Sequence, residues 1–267
     1  MFHVVFLLFP LLSKGEVSLF GNCPQFFLNN NPPTILTDPL NNNRYQQICQ
    51  CLLDQNNRPE YFYATLYDTV NRIPVYSAYV FQNPPVTRVD KWYIEPQLDG
   101  VNIPCMALST SVPAPQRGQH QALNRDYEGS GYDRGHLYPV FHTATQRAML
   151  ATSTLTNAAP QGPRFNGGQW RVHEQSLANI LRTHPNSYVV TGVVPGNQMI
   201  AAGRVMEARY YWSAYCYRDN YGNYQSSGYI GPDQNGRVQT LLLGDLEVAL
   251  QGYYNVQTFT VFEIQCY

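Results

Sequence analysis

Six cysteines constrain this chain more than any other feature, because an even number of them in an exported chain is typical of a disulfide framework. They are Cys23, Cys49, Cys51, Cys105, Cys216 and Cys266. All six follow an apolar run, Val4 to Leu12, which is too short to span a bilayer and precedes small residues that a signal peptidase reads. The sequence therefore predicts a secretory signal over residues 1–21, cleaved between about 15 and 21, and an oxidising compartment.

The pairing of the cysteines stays open at this level, since six half-cystines allow fifteen connectivities. Cys49 and Cys51 are too close in sequence to be expected partners. Each should therefore reach a distant segment, such as the one that carries Cys23 or Cys105. Metal ligation by cysteine is not favoured, because the chain has no paired CxxC motif and no Cys/His cluster.

The length of 267 residues fits one domain with a full core, here residues 22–267 after removal of the signal. Segments rich in β-branched and aromatic residues predict strands at 61–68, 73–81, 187–194, 207–218 and 257–263. Helical spacing predicts helices at 143–150, at 244–250 and from Asn166 onward. Polar segments at 29–43 and 113–124 read as loops. The fold class is α+β, with a mixed or antiparallel sheet and flanking helices.

The charge balance argues against a generally basic nucleic-acid coat protein, because the net charge is -1 and the pI is about 6.6. A hydrolase needs only a local positive groove. Five arginines lie around the motifs described next: Arg125, Arg134, Arg147, Arg164 and Arg171. No segment after the signal resembles a membrane span.

The residues that suggest chemistry are His136, Asn166 and Glu174. A histidine can deprotonate water near neutral pH, and an asparagine oxygen is an uncharged ligand for a hard cation. On a single helix, Asn166, Trp170 and Glu174 fall at i, i+4 steps, so the amide and the carboxylate share one broad face. Such a set predicts metal-assisted cleavage of a phosphodiester.

Four blocks in this order resemble the DNA/RNA non-specific endonuclease family, which includes bacterial secreted nucleases and endonuclease G. The blocks are Asp133-Arg134-Gly135-His136, the segment Thr156 to Gln161, Phe165-Asn166, and Trp170 with Glu174. Arg125 to Tyr127 and Gly129 agree upstream. The exported N-terminus, Phe20 to Phe27 and Tyr63 to Tyr67 are further similar to the animal endonuclease domain-containing 1 branch of that family.

The resemblance implies a ββα-metal nuclease fold and a role for each matching residue. His136 would be the general base, and Asn166 the direct protein ligand of a Mg²⁺, with Mn²⁺ or another divalent cation as an alternative. Glu174 would hydrogen-bond the waters of that ion. Arg134 would contact phosphate or organise the site.

Three further residues are candidates for the site. The family uses an arginine from an earlier strand to neutralise phosphate charge, and Arg88 is the candidate here. Asn157 and Asp133 would line the site, with fixing of the loop backbone as the other role for Asn157.

Structural readings compete with these functional ones. His136 is also compatible with a satisfied loop histidine, Asn166 with a helix N-cap, Glu174 with a solvated helix residue and Arg88 with a surface charge. The pair His173-Glu174 does not indicate a zinc motif, because no second histidine follows at helical spacing. His142 and His184 read as structural residues.

The function predicted from these residues is that of a secreted, metal-dependent endonuclease acting on DNA and RNA with little sequence preference. The alternative is a catalytically weak, secreted nucleic-acid- or protein-binding protein on the same fold. The partners indicated are DNA and RNA as substrates, and the residues do not specify any protein partner.

Overall fold

The structure is a computed structural model that describes residues 17–35, 43–82, 87, 89, 91–184, 186–200, 203–234, 236–262 and 266. Two features of the sequence, the apolar run Val4 to Leu12 and Arg88, lie outside the described residues. In the described part of the chain, no helix is long and apolar enough to cross a membrane.

The strands are β1 Thr34–Ile35, β2 Tyr45–Leu53, β3 Pro59–Asp68, β4 Ile73–Val80, β5 Asp133–His136, β6 Ala158–Gln161, β7 Tyr188–Ile200, β8 Val205–Arg218, β9 Tyr224–Pro232, β10 Gln239–Leu241 and β11 Phe259–Thr260. In the described residues, seven of them form one antiparallel sheet in the order β10-β9-β8-β7-β4-β3-β2. β1 pairs with β11, and β5 pairs with β6, both antiparallel.

The helices are α1 Gln146–Thr152, α2 Pro163–Phe165, α3 Arg171–Leu181 and α4 Leu243–Tyr254, with a π-helical turn at Asn166–Trp170 between α2 and α3. Short 3₁₀ turns lie at Phe20–Asn22, Pro24–Phe26, Leu28–Asn30, Pro96–Asp99, Ser109–Ser111, Asn124–Asp126, Val140–His142 and Leu155–Asn157. α1 begins after Thr145, whose hydroxyl accepts a hydrogen bond from the Ala148 N–H at 3.1 Å.

The predicted α+β class and the antiparallel sheet are confirmed, with three departures in detail. β2 and β9 were not predicted, because glutamines interrupt the apolar pattern of β2 and serines and glycines that of β9. The strand expected at 257–263 is two residues long in the described chain, Phe259–Thr260. The uninterrupted helix expected from Asn166 is wrong, since Gly168 has φ -108° and ψ -108° and breaks it.

Both faces of the main sheet are covered by other parts of the chain. Successive side chains along β8 point to opposite faces, so this strand shows what covers each one. Trp212, Ala214 and Cys216 pack with α4 and Phe259 on what we call the disulfide face. Tyr211, Ser213 and Tyr215 point to the opposite face, where α3, β5 and β6 lie. We call this the site face.

All six cysteines are paired, as Cys23–Cys49, Cys51–Cys105 and Cys216–Cys266. The expectation that Cys49 and Cys51 reach different, distant segments is therefore confirmed. Cys23, Cys49, Cys216 and Cys266 belong to the core of the disulfide face. The loops that the three bridges close span 26, 54 and 50 residues, so each removes substantial entropy from the unfolded chain.

Candidate functional site

Strand β5 carries three of the predicted site residues, Asp133, Arg134 and His136. In its pairing with β6, Asp133 lies opposite Gln161 and His136 opposite Ala158. Because side chains alternate along a strand, Arg134 and His136 point to one side and Asp133 to the other. At Gly135, a Cβ atom would overlap the Gln161 side chain and the Tyr211 hydroxyl. Only glycine fits there.

Trp92 organises the side of β5 that holds the histidine. Its indole lies 4.6 Å from the Arg134 guanidinium carbon and 4.9 Å from the His136 ring centroid. Arg134 also donates from Nη1 to Asn124 Oδ1 at 2.8 Å. Among the described residues, no carboxylate pairs with Arg134, so its other N–H donors are available to an anion.

Asn166 is tied to the opposite end of the same strand. Its Nδ2 donates to Asp133 Oδ2 at 2.9 Å. In this hydrogen bond the amino side of the amide faces Asp133, and Oδ1 is directed elsewhere as an acceptor. Asp133 and His136 are three residue steps apart along the strand, about 10 Å at ~3.3 Å per residue. The base candidate thus lies at one end of a short strand, and the ligand candidate is hydrogen-bonded to the other end.

The backbone that presents Asn166 is held by Asp233. The Gly162 N–H donates to both Asp233 oxygens at 2.9 Å, and the Asn166 N–H donates to the Gly162 carbonyl at 2.9 Å. Burial, followed by the nearby charges of Glu207 and Asp133, raises the pKa of Asp233 to about 7, although the Gly162 N–H opposes this rise. No local sequence pattern indicates this role of Asp233, because it lies 71 residues from Gly162.

Glu174 lies in the first turn of α3, half-buried above Trp170. Burial raises the pKa of its carboxyl to about 8, and the neighbouring Trp170 indole N–H lowers it in part. No hydrogen bond joins Glu174 to Asn166 in the described part of the chain. The glycine-containing π turn between them means that helical spacing alone does not set their relative position.

Asn157 is fully buried, and its side chain is fully used within the protein. Oδ1 accepts from the Ser77 hydroxyl and from the Tyr138 N–H, both at 2.9 Å. Nδ2 donates to the carbonyls of Tyr138 at 3.1 Å and Thr152 at 2.8 Å. Through the two hydrogen bonds to Tyr138, Asn157 holds the backbone of the loop that follows His136.

The oxygen donors suit a hard, hydrated cation better than a closed protein cage. Within the described residues there is no group of three or more His, Cys, Asp or Glu side chains that could hold a metal. Asn166 offers one oriented amide oxygen, and Glu174 a carboxylate that burial makes costly to ionise unless a positive charge is near. Mg²⁺ retains several waters and accepts such a sparse ligand set.

Two antiparallel strands followed by a helical segment, with a histidine on the first strand and an asparagine at the helical start, define the ββα-metal class of nucleases. Residues 42–265 match the family model of the DNA/RNA non-specific endonucleases. The chain belongs to that family.

Its relatives include the Endonuclease domain-containing 1 protein of Homo sapiens, 35% identical over 228 residues, which covers 81% of this chain and 43% of that protein. Mitochondrial Endonuclease G of Bos taurus is 39% identical over 125 residues, 43% of this chain and 40% of that protein. The chain thus spans less than half the length of these curated relatives.

A chain in the crystal structure of the EndoG/EndoGI complex shares the fold. The TM-score is 0.54 at 22% sequence identity, over 74% of this chain and 83% of that chain. At this identity the similarity concerns architecture, and the chemistry must be argued from the residues of the site.

Proposed function

We propose that this chain is a secreted, metal-dependent endonuclease that hydrolyses phosphodiester bonds of DNA and RNA with little sequence preference. The observation that carries the proposal is the placement of His136 and Asn166 at the two ends of β5, with Asn166 tied to the strand through Asp133 at 2.9 Å. Membership of the nuclease family supports it.

His136 is the general base in this proposal. Its ring packs against the buried Trp92, which limits how the imidazole can turn. In this role a neutral imidazole accepts the proton of the attacking water. General-base catalysis of this kind contributes typically ~10²–10⁴-fold.

Asn166 would hold the divalent cation through Oδ1, and Glu174 would accept hydrogen bonds from the waters of that ion. Mg²⁺ is the proposed cation, and Mn²⁺ would occupy the same ligands. Bound there, the ion supplies positive charge beside the phosphate and the leaving oxygen. Asp133 acts indirectly, because it keeps the amino side of the Asn166 amide turned away from the ion.

Phosphate contacts explain the weak sequence preference. Arg134 lies over Trp92 and has N–H donors that are not used within the described part of the protein. Arg164 and Arg171, which precede and follow Asn166 in the sequence, are exposed. Contacts to phosphate fix the position of a strand but carry no base information. Arg88 remains the proposed second arginine for the phosphate charge.

Secretion is supported by the disulfides at Cys23–Cys49, Cys51–Cys105 and Cys216–Cys266, which form and persist in oxidising compartments. The apolar run at the N-terminus is the proposed signal. Mass spectrometry of the exported protein tests this, since an intact Met1 or six free thiols would contradict export by a cleaved signal.

The decisive test is degradation of circular plasmid DNA by the purified protein with Mg²⁺, with and without a chelator. We expect cleavage of circular duplex DNA, single-stranded DNA and RNA, weakening as salt rises. A requirement for free ends, or one discrete recognition sequence, would contradict the proposal. Tight binding of DNA with no cleavage at any metal concentration would favour the alternative of a secreted binding protein on this fold.

A further inference from the structure

The backbone between Asn166 and Glu174 does not by itself determine the position of Glu174 relative to Asn166. Gly167 and Gly168 lie in a π-helical turn, and the backbone at Gly168 leaves the helical region. π-Helical turns occur frequently at functional sites, and glycine permits several backbone conformations at low cost. The orientation of Glu174 therefore depends on how α3 is attached to the rest of the fold, independently of the bond between Asp133 and Asn166. One attachment is made by the neighbouring His173, whose Nε2 lies 2.7 Å from the Ser213 hydroxyl on β8.

A second attachment acts on Glu174 itself and is made by His142, a fully buried histidine on the loop that leaves β5. Its Nε2 lies 3.0 Å from the backbone carbonyl oxygen of Glu174. Its Nδ1 lies 2.9 Å from the Tyr79 hydroxyl, which belongs to β4 in the centre of the main sheet. The imidazole thus bridges the rigid sheet and the first turn of α3.

The partners of His142 determine its tautomer. A backbone carbonyl only accepts hydrogen bonds, so Nε2 must carry the proton and donate to Glu174. Nδ1 then accepts from the Tyr79 hydroxyl. Burial lowers the pKa of His142 to about 4, so the ring is neutral at physiological pH, in agreement with this assignment.

The surroundings of the bridge are rigid. The Tyr79 ring stacks on Tyr138 at 4.0 Å between centroids, and the Tyr138 N–H is held by Asn157. One short loop, residues 137–142, therefore joins the strand that ends in His136 to the residue that contacts the Glu174 backbone.

We propose that His142 is a positioning residue, which sets the Glu174 carboxylate relative to Asn166 through its hydrogen bond to the Glu174 carbonyl. The inference rests on the proposed metal-dependent function. Loss of the bridge should weaken metal binding, because residues that orient metal ligands typically contribute 10- to 100-fold to metal affinity or activity.

The test compares His142→Gln with His142→Asn. The glutamine amide reaches the position of Nε2 and keeps a donor for the Glu174 carbonyl, whereas the asparagine amide ends near Nδ1 and cannot reach it. His184→Asn is the matched control, because His184 lies three residues beyond the end of α3, half-exposed and stacked on Tyr217. Affinity for Mn²⁺ is measured directly by electron paramagnetic resonance, beside the Mg²⁺ dependence of plasmid cleavage and circular dichroism for folding.

We expect His142→Asn to bind Mn²⁺ on the order of tenfold more weakly and to need correspondingly more Mg²⁺, while His142→Gln and His184→Asn stay within about threefold of wild type. Equal Mn²⁺ affinity in the glutamine and asparagine variants, when wild type binds Mn²⁺ and cleaves, overturns this inference alone. A wild-type protein that neither binds Mn²⁺ nor cleaves overturns the proposed function and the inference with it.

Discussion

The two faces of the main sheet are stabilised in different ways. The disulfide face is built from apolar side chains such as Trp212, Leu246 and Phe259, with two cystines among them. The site face contains buried hydrogen-bond chains. The Thr65 and Ser77 hydroxyls lie 2.9 Å apart, and Ser77 donates to Asn157.

This difference indicates which face depends on the orientation of individual side chains. Apolar burial stabilises without direction, so a substitution on the disulfide face should cost stability and little else. Hydrogen bonds are directional, and a buried donor left without a partner is expensive. The hydrogen bonds of the site face therefore hold the loop after His136, and with it the proposed base. Removal of one polar group there should cause a larger loss of function than a substitution on the disulfide face.

The largest expected effect lies on the site face. His136→Ala should reduce the plasmid cleavage rate by about 10²–10⁴-fold, because it removes the base. The thermal midpoint should change little, since the side chain is half-buried at the end of β5. Initial rates at saturating Mg²⁺, with circular dichroism as the folding control, decide this; a folded variant that cuts at the wild-type rate places the base elsewhere.

The disulfide face should show the opposite behaviour. Replacing both Cys216 and Cys266 by serine removes the disulfide that joins two positions 50 residues apart in sequence. The free energy of unfolding should fall by about 2–5 kcal/mol. Cleavage per folded molecule should persist below the new melting temperature. Denaturant titration with a parallel cleavage assay checks both, and loss of activity in the still-folded protein would show that the two faces are not separable.

A matched pair sharpens the comparison. Asn157→Ala leaves the Tyr138 N–H and the Ser77 hydroxyl without this partner, each at a cost of about 1–3 kcal/mol. Leu246→Ala, on the disulfide face, should cost about 2–5 kcal/mol. At similar loss of stability, only Asn157→Ala should slow cleavage strongly. If both variants slow cleavage equally, the hydrogen-bond chain has no special part in positioning His136.

The smallest expected effect concerns pH and Asp233. The pKa of an unfolded aspartate is about 4, and burial raises the pKa of Asp233 to about 7 in the folded protein. Between these values the folded state binds more protons than the unfolded one, so this residue's contribution to stability is complete below pH 4 and is lost as pH rises to 7. Asp233→Asn removes that slope. Urea unfolding at pH 4.5, 6 and 7.5 measures it, and an unchanged pH profile in the variant would show that Asp233 is ionised in the fold.

The local parts of the site were predictable from sequence. The four adjacent residues Asp133 to His136 form one short strand, in which Gly135 packs closely against Gln161 and Tyr211. The family resemblance confirmed by the comparisons supplied the roles proposed for them.

The remaining parts depend on contacts that are distant in sequence. Nothing near Trp92 or Asp233 indicates that they support His136 and Gly162. Strand β9 lacks an apolar pattern, because glycines occupy positions where neighbouring side chains approach closely. A Cβ at Gly228 would meet Leu246, and one at Gly231 would meet Phe165. Single-sequence patterns do not contain such information.

The central claim is that Asn166 holds the catalytic cation, and a Mg²⁺ titration of plasmid cleavage by Asn166→Ala tests it most directly. The substitution keeps helix-forming character at the start of the π turn, so the protein should remain folded by circular dichroism. We predict a midpoint shifted to higher Mg²⁺ by on the order of tenfold or more, with partial recovery of the rate as the ion is raised. A folded Asn166→Ala variant with the wild-type midpoint and the wild-type rate would contradict the account.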